Sequence, residues 1–484
     1  MCKTFNAIGL EVDSVVEHRM PDNVVVGKVE SKEKHPDAEK LSVCQVNVGE
    51  SIQQIVCGAK NVDAGQIVAV AMVGAILPGD FKIKPAKLRG LESNGMICSS
   101  TELGLPKIND GIMVLDKSLG ALKLGTPLKE IALLNDDVIE LELTANRGDC
   151  LSVYGVARDL SVALELDLKD LPSTEEEQNL LGIGRVLSIQ AEDKVGSSFI
   201  YKALALESIQ NSLLMELRLA EVDVAYKSAI ERILQYVTYS TGVLMRAYDL
   251  DCFIEKNSDK ATIHLRKDPN GMDAVYNDKK RVAYVGVYQE DECRVSDKTV
   301  KVIIEANYSC PEEISKSSAN NKSLASDRHL YRSSRGSEPD LSFGMQFLQA
   351  LMREEKGVKL YAGSQQILQD GEEKIISLGI RDLAKMIGQE IPKNRVVQIL
   401  KALGFEVFFR PEQDANVPSF SHDVKHEQDL CEEIVRIVGI DNIQSKPFIF
   451  AEEARTNDAY EAFKKRLAIR NRAVAAGFYE SVHY

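Results

Sequence analysis

The sequence of 484 residues contains no tryptophan, and its aromatic residues amount to only 6% of the chain. Its longest apolar run, residues 68–77, is about half of the ~20 residues that a membrane-spanning helix needs. The first residues show no basic head followed by an apolar stretch, so we find no secretory signal. These absences predict a cytoplasmic protein.

The nine cysteines form no Cys-x-x-Cys pair. An odd number in a long chain without a signal predicts reduced thiols, with neither a disulfide framework nor a zinc site. Cys57 and Cys98 lie in apolar runs, where a thiol packs as a small hydrophobic group. A glycine-rich phosphate loop is also missing, so we do not expect ATP chemistry or catalysis within this chain.

The length exceeds what one hydrophobic core fills, and at about 100–200 residues per domain it predicts roughly three to five domains. The net charge is −14, which at first argues against a nucleic-acid partner. Nucleic-acid binding depends on local patches of charge, however, so the distribution of cations along the chain decides whether a nucleic acid can bind.

Short strand-like runs separated by glycine turns, from residue 23 to about 105, predict a small β-barrel. Beyond it, periodicity predicts a strand at 137–143, helices at 151–164 and 458–476, and mixed strands and helices at 185–350 and 374–447. The acidic stretch 171–178 is interpreted as a linker, and the Ser- and Asn-rich stretch 314–329 is interpreted as a mobile loop.

Cations gather on the predicted barrel. Residues 82–89 contain Lys82, Lys84, Lys87 and Arg89 and no acidic residue, while Lys34 and Lys40 belong to a second lysine-rich edge. Such edges neutralise backbone phosphates. An isolated lysine run is more often a solvated face, so composition alone leaves both interpretations open.

Four blocks in order, at residues 35–41, 55–62, 74–78 and 87–99, together resemble the tRNA-binding domain that several aminoacyl-tRNA synthetases and related factors carry. The resemblance implies an OB-type barrel that binds tRNA through the cations named above. His35, in the first block, is expected to be a turn residue rather than a contact.

The segments on either side of the barrel, 7–15 and 140–152, resemble the bacterial phenylalanine–tRNA ligase beta-subunit family, and the resemblance extends to residue 484. It implies an α+β multidomain fold. The implied parts are a split N-terminal domain (1–22 and 126–168), an inserted OB-type barrel (23–125), an editing-like mixed α/β domain (185–350), a winged-helix-like domain (366–447) and the start of a catalytic-like domain (448–484). In that family, further domains follow.

Carboxylates cluster near residue 430. Asp429, Glu432 and Glu433 share one face of a predicted helix at i, i+3 and i+4, opposite an apolar stripe, and Asp423 lies just upstream. Spacing alone favours a solvated acidic face. The family resemblance implies that these four residues bind Mg²⁺ close to the alpha subunit.

Residues 190–350 resemble the domain that hydrolyses tyrosine wrongly attached to phenylalanine tRNA. The family's Gly-Gln-Pro-Leu-His-Ala-Phe-Asp corresponds to 242–249 here, where Arg246 replaces the histidine. Glu305 matches a position that contacts substrate, although a strand-end residue paired with a cation is an equal alternative. We therefore hypothesise that editing is weak or absent.

The resemblance implies a non-catalytic beta subunit that binds tRNA(Phe) and supports the catalytic alpha subunit, which attaches phenylalanine with ATP, in a heterotetramer of two alpha and two beta chains. One alternative is a free-standing tRNA-binding factor, which the block at 417–443 disfavours. Another is a hydrolase acting in trans on mischarged tRNA, which Arg246 disfavours.

Overall fold

The computed structural model describes residues 1–172, 180–192, 194–256, 258–278, 280–321, 325–369, 374–409, 413–445, 447 and 456–482. It contains two compact units, residues 1–440 and 441–484, which we describe separately. The larger unit combines helices with several mostly antiparallel sheets, so the chain is a mixed α+β multidomain protein. Most of the predicted linker, residues 173–179, lies outside the described residues.

In residues 1–168, helices α1 (Cys2–Ala7) and α2 (Val153–Leu164) stand at either end. The strands between them are β1 (Glu11–Glu17), β2 (Val24–Lys34), β3 (Ser42–Asn47), β4 (Ile52–Cys57), β5 (Ile67–Ala71), β6 (Ile76–Leu77), β7 (Phe81–Lys82), β8 (Ala86–Leu88), β9 (Leu91–Ser93), β10 (Met96–Ile97), β11 (Val114–Leu115) and β12 (Asp137–Glu142).

Strands β1 and β12 pair with each other although the whole barrel lies between them in sequence. They are antiparallel, with Glu11 opposite Glu142 and Glu17 opposite Asp137. Phe5, Leu10 and Cys150 pack in the small core beside them. The arrangement is the one expected where a domain is inserted into another.

The barrel sheet has the order β10-β5-β2-β3-β4, and β11 also pairs with β5. Its two ends approach each other where the Asn94 N–H donates to the Gln54 carbonyl at 2.9 Å. Strand β5 is buried on both faces, with Val68 and Val70 in the barrel core and Ala69 and Ala71 in a second core outside it. The strands predicted here are therefore confirmed.

The stretch from 183 to 369 contains two sheets. Its helices are α3 (Leu213–Glu221), α4 (Ala229–Thr241), α5 (Pro311–Asn320), α6 (Arg328–Ser333) and α7 (Leu341–Arg353). Its strands are β13 (Leu187–Ala191), β14 (Ser198–Leu206), β15 (Leu244–Asp249), β16 (Ala261–Lys267), β17 (Asp273–Asn277), β18 (Lys280–Tyr284), β19 (Tyr288–Gln289), β20 (Lys301–Tyr308), β21 (Val358–Leu360) and β22 (Gln365–Ile367).

One of these sheets has the order β15-β20-β14-β21, with β22 also beside β14, and the other has the order β13-β16-β17-β18-β19. Helices α4 and α7 cover the first sheet through an aliphatic core. Tyr201, Tyr248 and Phe253 occupy a separate core that also includes residues of the second sheet. Buried aromatic rings therefore concentrate in this part of the chain.

The prediction of a mobile loop at 314–329 is wrong for most of that stretch. Helix α5 begins at Pro311, whose fixed φ suits a first helical position, and Glu312 and Glu313 follow at its positive end. Ile314 is buried in a cluster with Tyr284 and Val287. Tertiary packing thus overrides the low helix propensity of the Ser and Asn residues. Residues 322–324 lie outside the described residues.

The expectation that all cysteines are reduced is also wrong in this structure, where Cys252 and Cys293 form a disulfide. They lie in the 3₁₀ turns 250–253 and 291–293, and their sequence separation is 41. Only the pairing of strands brings these turns together, so spacing could not reveal the bond. Cys57 and Cys98 are free and buried, as expected for small hydrophobic groups.

The last part of the larger unit is a three-stranded sheet with three helices. Its elements are β23 (Ile375–Leu378), α8 (Ile380–Ile387), α9 (Lys393–Ala402), β24 (Glu406–Phe409), β25 (Gln413–Asn416) and α10 (Glu427–Val438), and the strand order is β23-β25-β24. Leu430 and Ile434 of α10 are fully buried, which confirms the predicted apolar stripe.

Buried ion pairs join α10 to α2. Asp159 of α2 accepts hydrogen bonds from Arg147 and, at 2.9 and 3.2 Å, from Arg436 of α10. Arg436 also binds Glu433 through two hydrogen bonds, and Arg147 binds Asp149 in the same way. Because all five side chains are largely removed from water, each depends on its partners for charge compensation.

The smaller unit contains α11 (Asp458–Ala475), which matches the helix predicted there. Across the described part of the chain, no helix combines the length and the apolarity that crossing a membrane requires.

Replacing Arg436 by Met should lower the free energy of unfolding by about 3–5 kcal/mol, because Glu433 and Asp159 would stay buried with less compensation. Urea titration followed by circular dichroism measures the change. Arg395→Met is the matched control, since its ion pair with Glu165 is partly exposed and should contribute at most about 1 kcal/mol. Equal effects of the two variants would contradict this account of the network.

Candidate functional site

The six cations predicted to bind tRNA all lie on the surface of the barrel domain. Lys34 ends β2 and Lys40 precedes β3, while the other four follow each other along β7, β8 and the turn after it: Lys82, Lys84, Lys87 and Arg89. All six are exposed. Within the described residues none of them makes an ion pair, whereas neighbouring Lys28 pairs with Glu30 at 3.1 Å. Their charge is therefore available to a ligand.

A tight hairpin presents two of these cations. Strands β8 and β9 are joined by Arg89 and Gly90, which have φ angles of 49° and 92°. Two successive left-handed residues are typical of a type I′ hairpin turn, and glycine at the second position lowers its cost. The turn holds Arg89 at the tip, with Lys87 two residues before it.

His35 connects the two cationic edges, which sequence reasoning missed. Its ring is buried, and its Nδ1 accepts from the Asp37 N–H at 3.1 Å. The other nitrogen, Nε2, then carries the proton and donates to the Leu88 carbonyl at 3.1 Å. The ring thus ties the 35–41 loop, which contains Lys40, to the hairpin that contains Lys87.

The predicted magnesium ligands are engaged with protein groups. Asp429 accepts from the backbone N–H groups of Lys425 and His426, so it closes the start of α10. Glu433 is bound by Arg436; burial raises the pKa of Glu433, and Arg436 opposes that shift.

The remaining two carboxylates stand apart from these. Asp423 accepts from the Asn146 amide at 2.9 Å, and Glu432 is exposed. Among the described residues, one group of three potential ligands has its atoms within 4.8 Å of one another, namely Asp149, Cys150 and Asp159. That group already binds the Arg147 guanidinium. The four predicted ligands are thus not gathered around one point.

Arg246, on β15, is buried, with 3% of its surface exposed. Its Nε donates to His329 Nδ1 at 3.0 Å, and its Nη2 donates to Asp327 at 3.0 Å. Burial and the adjacent guanidinium lower the pKa of His329 to about 3, so this ring is neutral and can accept. The side chain lines a cavity of about 220 Å³, together with Met245 and Gln289.

Glu305 lies opposite Arg246 in the β15–β20 register but has no exposed surface. Its carboxylate accepts from the Tyr201 hydroxyl at 2.6 Å, the Tyr248 hydroxyl at 3.2 Å and the Asn307 amide at 2.8 Å. Burial raises the pKa of Glu305, while these donors and Arg246 oppose the rise. Glu305 thus lies within β20, not at its end, and neutral donors enclose it instead of an ion-paired cation. The strand-end alternative is therefore wrong, and contact with substrate stays a prediction.

A larger cavity of about 660 Å³ lies between α2, the start of α7 and α9. Arg158 stacks over the Phe420 ring in its wall, with the guanidinium carbon 3.4 Å from the ring centroid. Glu338 also lines it, and burial raises the pKa of Glu338 to about 7. None of the residues predicted from sequence to be functional lines this cavity.

Family models match three parts of the chain. A tRNA binding domain matches residues 24–123, a B3/4 domain matches 201–357, and a tRNA synthetase B5 domain matches 376–440. The six exposed cations all fall within the first match.

Two similar curated proteins are phenylalanine–tRNA ligase beta subunits. That of Campylobacter jejuni strain RM1221 is 48% identical over 487 residues, and that of Wolinella succinogenes is 47% identical over 490 residues. Both alignments cover 100% of this chain. Over its whole length the chain is therefore similar to phenylalanine–tRNA ligase beta subunits. It spans 63% of the length of the first relative and 62% of the second.

Among solved structures, an N-terminal fragment of the phenylalanyl-tRNA synthetase beta subunit from Pyrococcus horikoshii is 15% identical to this chain. The match covers 62% of this chain and 86% of the fragment, with a TM-score of 0.32.

Stability should fall as pH rises through about 7, and Glu338→Gln should remove part of that fall. The folded pKa of Glu338, about 7, lies above its ordinary value of 4.5. The contribution of Glu338 to the free energy of unfolding is therefore complete below pH ~4.5 and is lost as pH rises through ~7. Melting temperatures between about pH 5 and 8 measure this. Asp167→Asn, at an exposed carboxylate of the same cavity, is the control, and an unchanged profile in Glu338→Gln would contradict the assignment.

Proposed function

We propose that this chain acts as the non-catalytic, tRNA-binding beta subunit of a phenylalanine–tRNA ligase. The observation that carries the proposal is the set of six exposed cations without ion pairs in the described residues, on a domain that matches a tRNA binding model. Cations that are not neutralised internally attract phosphates and release counterions when RNA binds. The acidic net charge does not oppose this, because the cations are concentrated on one surface.

The proposal assigns a role to each part of the chain. Residues 23–125 form an OB-type barrel inserted in the split domain of 1–22 and 126–168, 185–350 an editing-like domain, 366–447 a winged-helix-like domain, and 448–484 the start of a catalytic-like domain. The pairing of β1 with β12 supports the insertion, and the small sheet with α8, α9 and α10 supports the winged-helix-like assignment.

Under this proposal, catalysis takes place on an alpha subunit, which forms phenylalanyl-adenylate from phenylalanine and ATP and transfers the phenylalanine to tRNA(Phe). The beta chain holds tRNA and supports the alpha subunit in an assembly of two alpha and two beta chains. A free-standing tRNA-binding factor is disfavoured, because the beta-subunit relatives match this chain over its whole length.

Mg²⁺ at Asp423, Asp429, Glu432 and Glu433 remains a prediction from the family resemblance. In these positions the side chains do not fit a bound ion. Asp429 accepts hydrogen bonds from backbone N–H groups at the start of α10, and Glu433 accepts two from Arg436. A cation at this point would have to compete with Arg436 for Glu433. No step of the proposed function depends on the ion.

We also propose that editing of tyrosine attached to tRNA(Phe) is weak or lost. Arg246 is fixed by Asp327 and His329, and Glu305 is enclosed by three donors. A carboxylate without exposed surface cannot orient an ester or a water molecule unless the domain rearranges. The buried groups then serve to stabilise the fold.

Removing four cations together should weaken tRNA binding and flatten its salt dependence. We expect Lys82→Ala, Lys84→Ala, Lys87→Ala and Arg89→Ala combined to reduce the slope of log affinity against log salt by up to about 3, at about 0.7 per phosphate contact. Fluorescence anisotropy of labelled tRNA(Phe) across a salt series measures both quantities.

The control for this variant removes the same charge elsewhere. Four other exposed lysines are changed to alanine in it: Lys298, Lys301, Lys316 and Lys401. If this control lowers the slope as much as the barrel variant does, overall charge rather than the barrel edge governs binding.

The editing proposal is tested by offering tyrosyl-tRNA(Phe) to the chain combined with its alpha subunit. Loss of a positioned acid–base group typically costs 10²–10⁴-fold, so we expect tyrosine release slower by about that factor than with a family complex that retains the histidine. Acid-gel separation of charged and uncharged tRNA follows the reaction. Rapid release by this complex would refute the proposal.

A further inference from the structure

Phe81 is the only aromatic residue between Phe5 and Tyr154, a stretch that includes the whole barrel. The barrel cores are aliphatic, with valine, isoleucine, leucine and methionine at most buried positions. Phe81 belongs to neither core, and 57% of its surface is exposed. A single exposed ring is common on protein surfaces, so the residues around Phe81 decide whether it can bind a ligand.

The ring is held by a short, well-defined hairpin. Strands β6 and β7 pair Leu77 with Phe81, and the turn between them has Gly79 and Asp80 at φ angles of 77° and 59°. Directly after β7, Ile83 is buried and exchanges backbone hydrogen bonds of 2.9 Å with residues 74 and 75. The backbone next to Phe81 is therefore fixed before any ligand binds.

Cations follow the ring along the chain. Lys82 is adjacent to it, Lys84 is two residues further, and the β8–β9 hairpin with Lys87 and Arg89 comes next. All four are exposed and without ion pairs in the described residues. An exposed ring beside unpaired cations is the combination by which proteins bind unpaired nucleotides: bases stack on the ring while cations neutralise adjacent phosphates.

We infer that Phe81 is a stacking platform for an unpaired base of tRNA, with Lys82 and Lys84 binding the phosphates beside that base. This inference rests on the proposed tRNA-binding function and specifies its ligand as a single-stranded nucleotide rather than duplex backbone. A merely structural role would have Phe81 cover its buried neighbour Leu77. The two roles differ in what an aliphatic replacement does.

Phe81→Leu keeps an apolar cover over Leu77 but removes the aromatic face. We expect its melting temperature to match the wild type and its affinity for tRNA(Phe) to fall about 5- to 150-fold, the range for loss of one base–aromatic stack. The salt slope should stay unchanged, because no charge is lost. Ile76→Ala is the matched control: Ile76 is 55% exposed, lies on the same hairpin and pairs with Lys82. Its affinity should stay within about twofold.

The absence of tryptophan gives a direct test of stacking. Phe81→Trp introduces the only tryptophan of the chain, so its fluorescence has no background. We expect strong quenching by tRNA(Phe) and by a short oligouridine, weak quenching by an RNA duplex of equal length, and little quenching in the Ile76→Trp control.

The outcomes distinguish the inference from the function on which it rests. Binding of tRNA by the wild type, with unchanged affinity in Phe81→Leu and no quenching in Phe81→Trp, overturns the stacking platform and leaves the proposed function intact. Failure of the wild type to bind tRNA at all overturns both.

Discussion

The proposed function depends on the difference between cations that form ion pairs within the chain and cations that do not. The chain has 59 lysines and arginines against 73 acidic residues, so most cations could find an acidic partner. Several in the interior do: Arg147 and Arg436 converge on Asp159, and Arg246 binds Asp327. Along the barrel edge, from Lys82 to Arg89, no ion pair forms among the described residues. Only these unpaired cations are free to bind phosphates.

Buried polar groups of β15 and β20 likewise find their partners within the protein. A histidine in a catalytic pocket has to meet substrate, whereas Arg246 meets Asp327 and His329 and completes a buried, charge-compensated contact. Tyr201, Tyr248 and Asn307 satisfy Glu305 in a comparable way. Hydrogen bonds among buried polar groups stabilise one arrangement of a core, although Arg246 Nη1 and Asn307 Oδ1 are buried without a hydrogen-bond partner among the described residues.

Periodic elements could be predicted from the sequence because their burial follows the backbone repeat. The apolar stripe of α10 was readable for that reason, and the continuous apolar run of β5 was readable because that strand is buried on both faces. Contacts between distant segments were not. The Cys252–Cys293 bond and the Arg246–Asp327 pair depend on strand order, which residue spacing does not contain.

The carboxylates near residue 430 show, within one helix, that residue spacing does not reveal the partner of a side chain. Spacing correctly placed Asp429 and Glu433 on one helix, α10. It could not show that one carboxylate would bind backbone N–H groups and the other Arg436. His35 was undervalued for a related reason, because its partner Leu88 is 53 residues away.

Hydrogen–deuterium exchange of the chain with and without tRNA(Phe) tests the central claim most directly. If the cationic edge of the barrel is the RNA interface, bound tRNA should slow exchange in peptides covering residues 34–41 and 81–93 and leave those covering 298–301 unchanged. Protection confined to regions outside the barrel, with unchanged exchange at 81–93, would contradict the account.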